Sequence, residues 1–154
     1  MRVSRRRVGL QVWHHSYIIE TIDLNLIHFS GEPLELHVTV DNESTVEVTP
    51  RATLHQTQVY MCGERHKAKE VAVTESIVGK TVHRNSNLTE TLLIPLPEYL
   101  SLSIKSGIIR IVYFIHVFLD IPNAIDLHVN VPIVIVNKFV LTLDEVDTCL
   151  QNSV

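Results

Sequence analysis

The chain has 154 residues and a formal net charge of −4, and this length fits one domain with its own hydrophobic core. With 5 glycines and 6 prolines, it is too poor in both residues for a fibrous or low-complexity protein. The mildly negative total charge favours neither nucleic acid nor an anionic membrane as a partner, so no nucleic-acid binding is expected. Two cysteines are too few for a disulfide framework and favour a reducing compartment.

The start of the chain is basic. Residues 1–21 are predicted to be an irregular extension, and no long apolar run follows its arginines, so a secretory signal is not expected. We expect a solvated segment. The alternative is peripheral contact with acidic lipid through Arg5, Arg6 and Arg7.

From residue 22 the sequence alternates between apolar and polar side chains, which is typical of a strand with one buried face. Residues 22–26 are the first such run, and residues 29–33 form a predicted turn in which Gly31 supplies backbone freedom. Residues 34–40 show the clearest alternation in the chain. After a polar turn at Asn42, residues 52–60 form a longer and more polar strand that is expected to have one wet face.

The second half continues in the same way. Residues 61–69 are predicted to be a charged hairpin tip, and strand patterns follow at residues 70–79 and 88–94, the latter stopped by two prolines. Residues 98–107 are interpreted as a connector. Residues 108–119 are apolar on both faces, which predicts a strand buried between a sheet neighbour and a covering layer. Residues 125–135 alternate again.

Several strands joined by short turns, with no amphipathic helix, predict an all-β, two-sheet antiparallel sandwich over residues 22–137. Residues 138–154 are predicted to be an acidic tail. Its acidic residues are Asp144, Glu145 and Asp147.

A series of short sequences in a fixed order resembles the C-terminal domain of arrestins, and most closely the α-arrestin or arrestin domain-containing proteins. Gly31-Glu32 stands where that family has a glycine-glutamate turn before its second strand. The other matching pieces are Asp41-Asn42-Glu43-Ser44, Pro50-Arg51-Ala52, Leu54-His55-Gln56, Val59-Tyr60, Leu93-Ile94-Pro95, Ile111-Val112-Tyr113 and Val131-Pro132-Ile133-Val134-Ile135.

The resemblance implies an immunoglobulin-like sandwich that serves as a non-enzymatic, cytoplasmic adaptor at the plasma membrane or endosomes. It also implies protein partners, namely membrane cargo and the trafficking and ubiquitination machinery. The chain contains no Pro-Pro-x-Tyr sequence, the motif by which α-arrestins recruit ubiquitin ligases, so ligase recruitment by this chain is not expected. Two alternatives remain open: an extracellular Ig-like adhesion or structural domain, and a retromer-type coat subunit with an arrestin fold.

The sequence offers no catalytic residue set, because it lacks the strand-turn-helix elbow that presents a nucleophile. It also offers no glycine-rich phosphate-binding loop, so no cofactor site is expected. The nine histidines lack the short spacing of a zinc motif, and Cys62 with His66 would form only half a site. Convergence of His37, His55 and His116 from different strands is the remaining route to a metal. Asn42-Glu43-Ser44 and Asn87-Leu88-Thr89 fit the glycosylation pattern, but Asn42 is interpreted as a turn residue that tolerates a positive φ.

The predicted functional surface combines one strand face with the charged hairpin tip. In a sandwich, loops and an exposed edge are where a partner peptide can add as a strand. An ordinary solvated face is the alternative. The residues of this predicted partner-binding surface are Thr53, His55, Thr57, Glu64, Arg65, Lys67 and Lys69.

Overall fold

The computed structural model describes residues 8–14, 17–23, 27–124 and 126–136, and over these residues the regular secondary structure consists of strands. They are β1 (Val8–His14), β2 (Tyr17–Asp23), β3 (Ile27–Phe29), β4 (Pro33–Asn42), β5 (Thr49–Cys62), β6 (Arg65–Ala72), β7 (Ile77–Val78), β8 (Ser86–Pro95), β9 (Ile104–Lys105), β10 (Ile109–Asp120) and β11 (Leu127–Val136). No helix in this part of the chain is long and apolar enough to cross a membrane.

The strands form two sheets. One has the order β1-β2-β4-β8, and the other has the order β3-β11-β10-β5-β6, with β7 paired to β5 and β9 paired to β10. Pairing is antiparallel except between β3 and β11, which run parallel. This confirms the predicted all-β sandwich.

The core lies between the two sheets because one side of each long strand is apolar. In β4, residues alternate between buried and more exposed positions along ten residues, and Leu34, Leu36, Val38 and Val40 face the core. The facing sheet contributes Leu54 from β5 and Ile115 from β10, both fully buried. Burial of such side chains is the main stabilising term of the fold.

The expectation of an irregular segment over residues 1–21 is wrong for two stretches. β1 and β2 pair with each other, and β2 pairs with β4, so Ile19 and Thr21 lie in the buried interior. Basic composition at the start hid a short apolar alternation around Ile19. Arg2, Arg5, Arg6 and Arg7 lie outside the described residues, as do residues 24–26 of the first predicted strand and the acidic tail.

β10 also departs from its prediction. Only one face of this strand is fully buried, whereas Phe114, His116 and Phe118 on the other face are partly exposed. Among the described residues no layer covers this outer face of the larger sheet, so its aromatic side chains shield one another. The connector at residues 98–107 is not wholly irregular either, because it contains β9.

Asn42 does not have the positive φ expected of it; among the described non-glycine residues, Asn85 and Asn123 do. Its side chain is instead fully buried. Asn42 Nδ2 donates hydrogen bonds to the carbonyl oxygens of Val46 at 2.8 Å, Val82 at 3.3 Å and His83 at 3.1 Å. Its Oδ1 accepts from the backbone N–H and the hydroxyl of Ser44. Asn42 therefore joins β4 to two loops, and a buried amide of this kind is not open to glycosylation.

Candidate functional site

β6, which forms the outer edge of the larger sheet, is exposed along its whole length. All eight of its residues are exposed. It is joined to β5 by a two-residue turn in which Cys62 pairs with Arg65. Gly63 has a φ of 60° while Glu64 has no positive φ, the pattern of a type II′ turn, which needs glycine at its first central position.

The pairing with β5 determines which backbone groups of β6 are left over. The amide of Val73, just beyond β6, donates to the Leu54 carbonyl oxygen at 2.8 Å. Because hydrogen bonding alternates along an antiparallel pair, the odd-numbered residues of β6 point their N–H and C=O groups towards β5. The same groups of His66, Ala68, Glu70 and Ala72 point away from the sheet. Because no described strand other than β5 pairs with β6, these backbone groups form an edge that is open within the described part of the chain.

The predicted surface residues lie on two different faces of this sheet. Directly opposite residues of an antiparallel pair share a face, and Arg65, Lys67 and Lys69 lie opposite Cys62, Tyr60 and Gln58. Thr53, His55 and Thr57 alternate with those positions along β5 and therefore lie on the outer face. The structure keeps the seven residues within one hairpin but does not bring them together on one surface.

On the core-side face, the cover provided by the smaller sheet ends part way along β5. Leu54 is 0% exposed, Gln56 9% and Tyr60 47%. Arg65, Lys67 and Lys69 lie beyond this limit and are exposed. None of the three has an ion-pair partner among the described residues. They form a row of three cations at every second position of one strand, which we call the cationic row.

A series of hydrogen-bonded polar side chains lies on the same face, between the core and the cationic row. Gln56 Nε2 donates to the Tyr113 hydroxyl oxygen at 2.6 Å, and that hydroxyl donates to the Ser101 carbonyl oxygen at 2.6 Å. Gln58 and Tyr60 continue the series along β5. Burial raises the pKa of the Tyr113 hydroxyl above its ordinary value of 10.0, and the hydrogen bond from Gln56 acts in the opposite direction. In the sequence, the only sign of this hydrogen-bonded series is the pair of glutamines at alternate positions of β5, which the strand pattern alone does not explain.

The outer face carries a group of rings. His55 Nδ1 lies 3.0 Å from Glu70 Oε1, and the His55 ring stacks on Phe114 with centroids 5.2 Å apart. The rings of His55 and His116 are 5.5 Å apart, as are those of His116 and His128. Thr53 and Thr57 flank this cluster on β5, partly or largely buried.

The predicted histidine trio does not converge. His55 and His116 are neighbours, but His37 lies on the other sheet, where its Nδ1 is 2.8 Å from Thr91 Oγ1. Cys62 lies opposite Arg65 on the core-side face, whereas His66 lies opposite Met61 on the outer face, so these two side chains do not share a face of the hairpin. Across the described ranges, no group of three or more histidine, cysteine, aspartate or glutamate side chains is placed to hold a metal ion.

Three comparisons bear on the identity of the chain. The family model described as "Arrestin (or S-antigen), C-terminal domain" matches residues 27–138. The chain is 30% identical over 110 residues to arrestin domain-containing protein B of Dictyostelium discoideum; the match covers 71% of this chain and 18% of that protein. The chain therefore spans less than a fifth of that relative.

A similar fold is found in the crystal structure of Spo0M, a sporulation control protein from Bacillus subtilis. The TM-score is 0.63 with 16% sequence identity, over 78% of this chain and 49% of that one. At this identity the likeness shows the shared fold alone.

Proposed function

Because the chain belongs to the arrestin C-terminal domain family, whose members are adaptors that bind protein partners, we propose that it binds a partner peptide by strand addition at β6. The observation that supports this is the fully exposed edge strand with its outward-pointing backbone groups. An extended peptide gains main-chain hydrogen bonds by pairing with such an edge, and the alternating side chains of the edge strand give specificity.

The position of β6 in the fold suits this role. The strand is anchored along its whole length to β5, and β5 is held in turn by β10 through twelve consecutive residue pairs. A partner strand would therefore extend a sheet whose central strands are buried in the core. Recognition sites on such rigid elements need little reorganisation on binding.

We further propose that the chain works as an adaptor in endocytic trafficking and in ubiquitin-linked regulation of membrane proteins, on the cytoplasmic side of the plasma membrane or endosomes. Family membership supports this placement. Ligase recruitment is not assigned to residues of this chain, because its sequence contains no Pro-Pro-x-Tyr motif. Cargo recognition is the part of the adaptor role that the β6 edge fits.

Proximity labelling in cells, with the full chain as bait, tests the proposal when it is combined with Ala68→Pro. The Ala68 amide points away from β5, so proline there blocks an added strand without removing a hydrogen bond of the hairpin. We expect endosomal cargo proteins among the labelled partners. Ala68→Pro removes one main-chain hydrogen bond to the added strand, about 0.5–1.5 kcal/mol, so labelling should fall by up to about tenfold.

Ala68→Thr is the matched control, because it keeps the amide and a strand-forming side chain. Circular dichroism and thermal unfolding would establish that both variants fold. A purely secretory set of labelled proteins would overturn the trafficking role. Labelling that is the same for Ala68→Pro and the wild type would overturn the β6 edge as the binding site.

A further inference from the structure

We propose that the β6 edge selects extended peptides that carry acidic side chains at every second position, and that the cationic row of Arg65, Lys67 and Lys69 is the selecting feature. This inference rests on the proposed function, since it specifies the partner for the same edge. It depends on how charge is divided between the two faces of one strand.

The cationic row faces one side of the sheet, and no described residue forms an ion pair with it. Successive residues on one face of a strand are about 6.8 Å apart, which matches the spacing of alternate residues in an added strand. Each acidic side chain of a paired peptide would therefore lie directly opposite one cation, and cross-strand pairs of opposite charge stabilise a sheet. The β5 neighbours on this face, Gln58 and Tyr60, are uncharged.

The other face of β6 has a different character. Ala68 and Ala72 are small, and Glu70 lies between them with Oε1 3.0 Å from His55 Nδ1. An acidic peptide side chain on this face would be repelled by the Glu70 carboxylate. Threonine or valine would fit beside the alanines. The two faces together predict a peptide that alternates between acidic and β-branched residues.

Lysines on an edge strand also prevent unwanted pairing, and the cationic row does this against a second copy of the chain. A two-fold antiparallel pair of β6 strands centred on Lys67 would put Lys67 against Lys67 and Arg65 against Lys69. Centring on Ala68 would put Lys67 against Lys69. Like charges directly opposite destabilise such a pair, so the row that excludes self-pairing admits an acidic partner.

Fluorescence anisotropy with labelled peptides and the full chain tests this selectivity. The probe is Thr-Glu-Val-Glu-Thr-Glu-Val, compared with the same peptide carrying glutamine in place of each glutamate. Three cross-strand charge pairs predict about thirtyfold tighter binding of the glutamate peptide at low salt. The difference should shrink as salt is raised. N-methylation of alternate peptide amides should abolish binding, because it removes the main-chain pairing.

The protein variant is Lys67→Glu/Lys69→Glu, with Lys80→Glu/Arg84→Glu as a control of equal charge change on exposed residues away from β6. Only the first variant should lose the glutamate peptide, and it should gain the corresponding lysine peptide. Amide exchange should slow at Ala68 and Glu70 when the glutamate peptide is bound, which supports strand addition directly.

Three results would overturn the inference. Equal binding of the glutamate and glutamine peptides, both lost in Ala68→Pro, would refute acidic selection while leaving the edge as the binding site. Binding that survives N-methylation would show attraction by charge without strand pairing. Binding of phosphatidylserine vesicles through the cationic row, with no binding of the peptides, would assign these cations to a membrane surface.

Discussion

The two halves of β5 differ in burial although they belong to one continuous strand. From Thr49 to Gln56 the core-side residues are buried between the sheets, and Ala52 and Leu54 are fully inaccessible. From Thr57 to Cys62 the same strand, which pairs with β10 as far as Tyr60, becomes progressively exposed and leads into the turn to β6. Backbone pairing is continuous across the boundary. The difference is that the smaller sheet covers the core-side face of the first half and not that of the second half.

This difference separates stability from recognition. Side chains of the first half contribute through burial, so their removal leaves cavities. Side chains become partly exposed at residues 57–59 and exposed at residues 60–62, and removal of the exposed ones should alter what the hairpin binds while leaving the fold in place. Substitutions along this strand and its neighbours test where that division falls.

Leu54→Ala should have the largest effect, since Leu54 is fully buried against the opposite sheet. We expect a loss of about 2–5 kcal/mol in the free energy of unfolding, from lost burial and the cavity left behind. Urea denaturation followed by circular dichroism measures it. A loss below about 1 kcal/mol would show that the first half of β5 is not part of the main core.

Asn42→Ala should follow, because the Asn42 amide supports two loops next to the buried half of β5. The substitution removes the hydrogen bonds of the Asn42 side chain to Val46, Val82, His83 and Ser44. The Val82 carbonyl oxygen still accepts from the Val48 N–H and the His83 carbonyl oxygen from the Ser86 hydroxyl, so we expect a loss of about 1–3 kcal/mol from the missing hydrogen bonds, each of which contributes about 0.5–1.5 kcal/mol. Ser44→Ala removes only one of the partners of Asn42 and should cost less. Equal losses for the two variants would contradict the central role of the Asn42 side chain.

Sequence patterning predicted the sandwich and the longest strands because alternation in β4 and β11 follows directly from one buried face. It missed β1 and β2, whose assignment depends on pairing with β4 and not on local composition. It placed Asn42 correctly at a turn, where Oδ1 accepts from the Ser44 N–H two residues further on, but it did not foresee that the amide is buried without a positive φ and held by the surrounding carbonyl groups. Only the fold brings those groups together.

The candidate surface was predicted in part for the same reason. The charged residues of the hairpin are adjacent in sequence, so their clustering was visible. Their separation from Thr53, His55 and Thr57 depends on the register Cys62 to Arg65, which a shift of one residue would reverse. Likewise, His116 joins His55 through the pairing of β10 with β5, while His37 belongs to the other sheet.

Gly63→Ala tests the turn that orients the exposed hairpin. With φ at 60°, an alanine there is strained, and we expect a loss of about 1–2 kcal/mol in unfolding free energy. Gly107→Ala is the control, because Gly107 has no positive φ and a Cβ added there meets nothing within 4 Å. Similar losses in the two variants would argue against the II′ turn.

Tyr113→Phe tests the boundary between the two halves, where Tyr113 links Gln56 to Ser101. We expect a loss of about 1 kcal/mol at neutral pH from the missing hydroxyl. Because burial raises the pKa of Tyr113 in the folded state above 10.0, the unfolded chain loses this proton first as pH rises. The stability of the wild type should therefore fall above pH 10.0 more steeply than that of Tyr113→Phe, as measured by urea denaturation across this range.

Lys67→Gln should have the smallest effect on stability, although it removes the middle cation of the row. Lys67 is exposed and has no ion pair among the described residues, so the change in unfolding free energy should stay within about 0.5 kcal/mol. Affinity for the glutamate peptide should nevertheless fall several-fold. Lys80→Gln, which removes the same charge away from β6, should leave both quantities unchanged. If Lys67→Gln destabilised the chain as much as Asn42→Ala, the exposed half of β5 and its hairpin would be part of the stabilising core, and the division between stability and recognition along this strand would not hold.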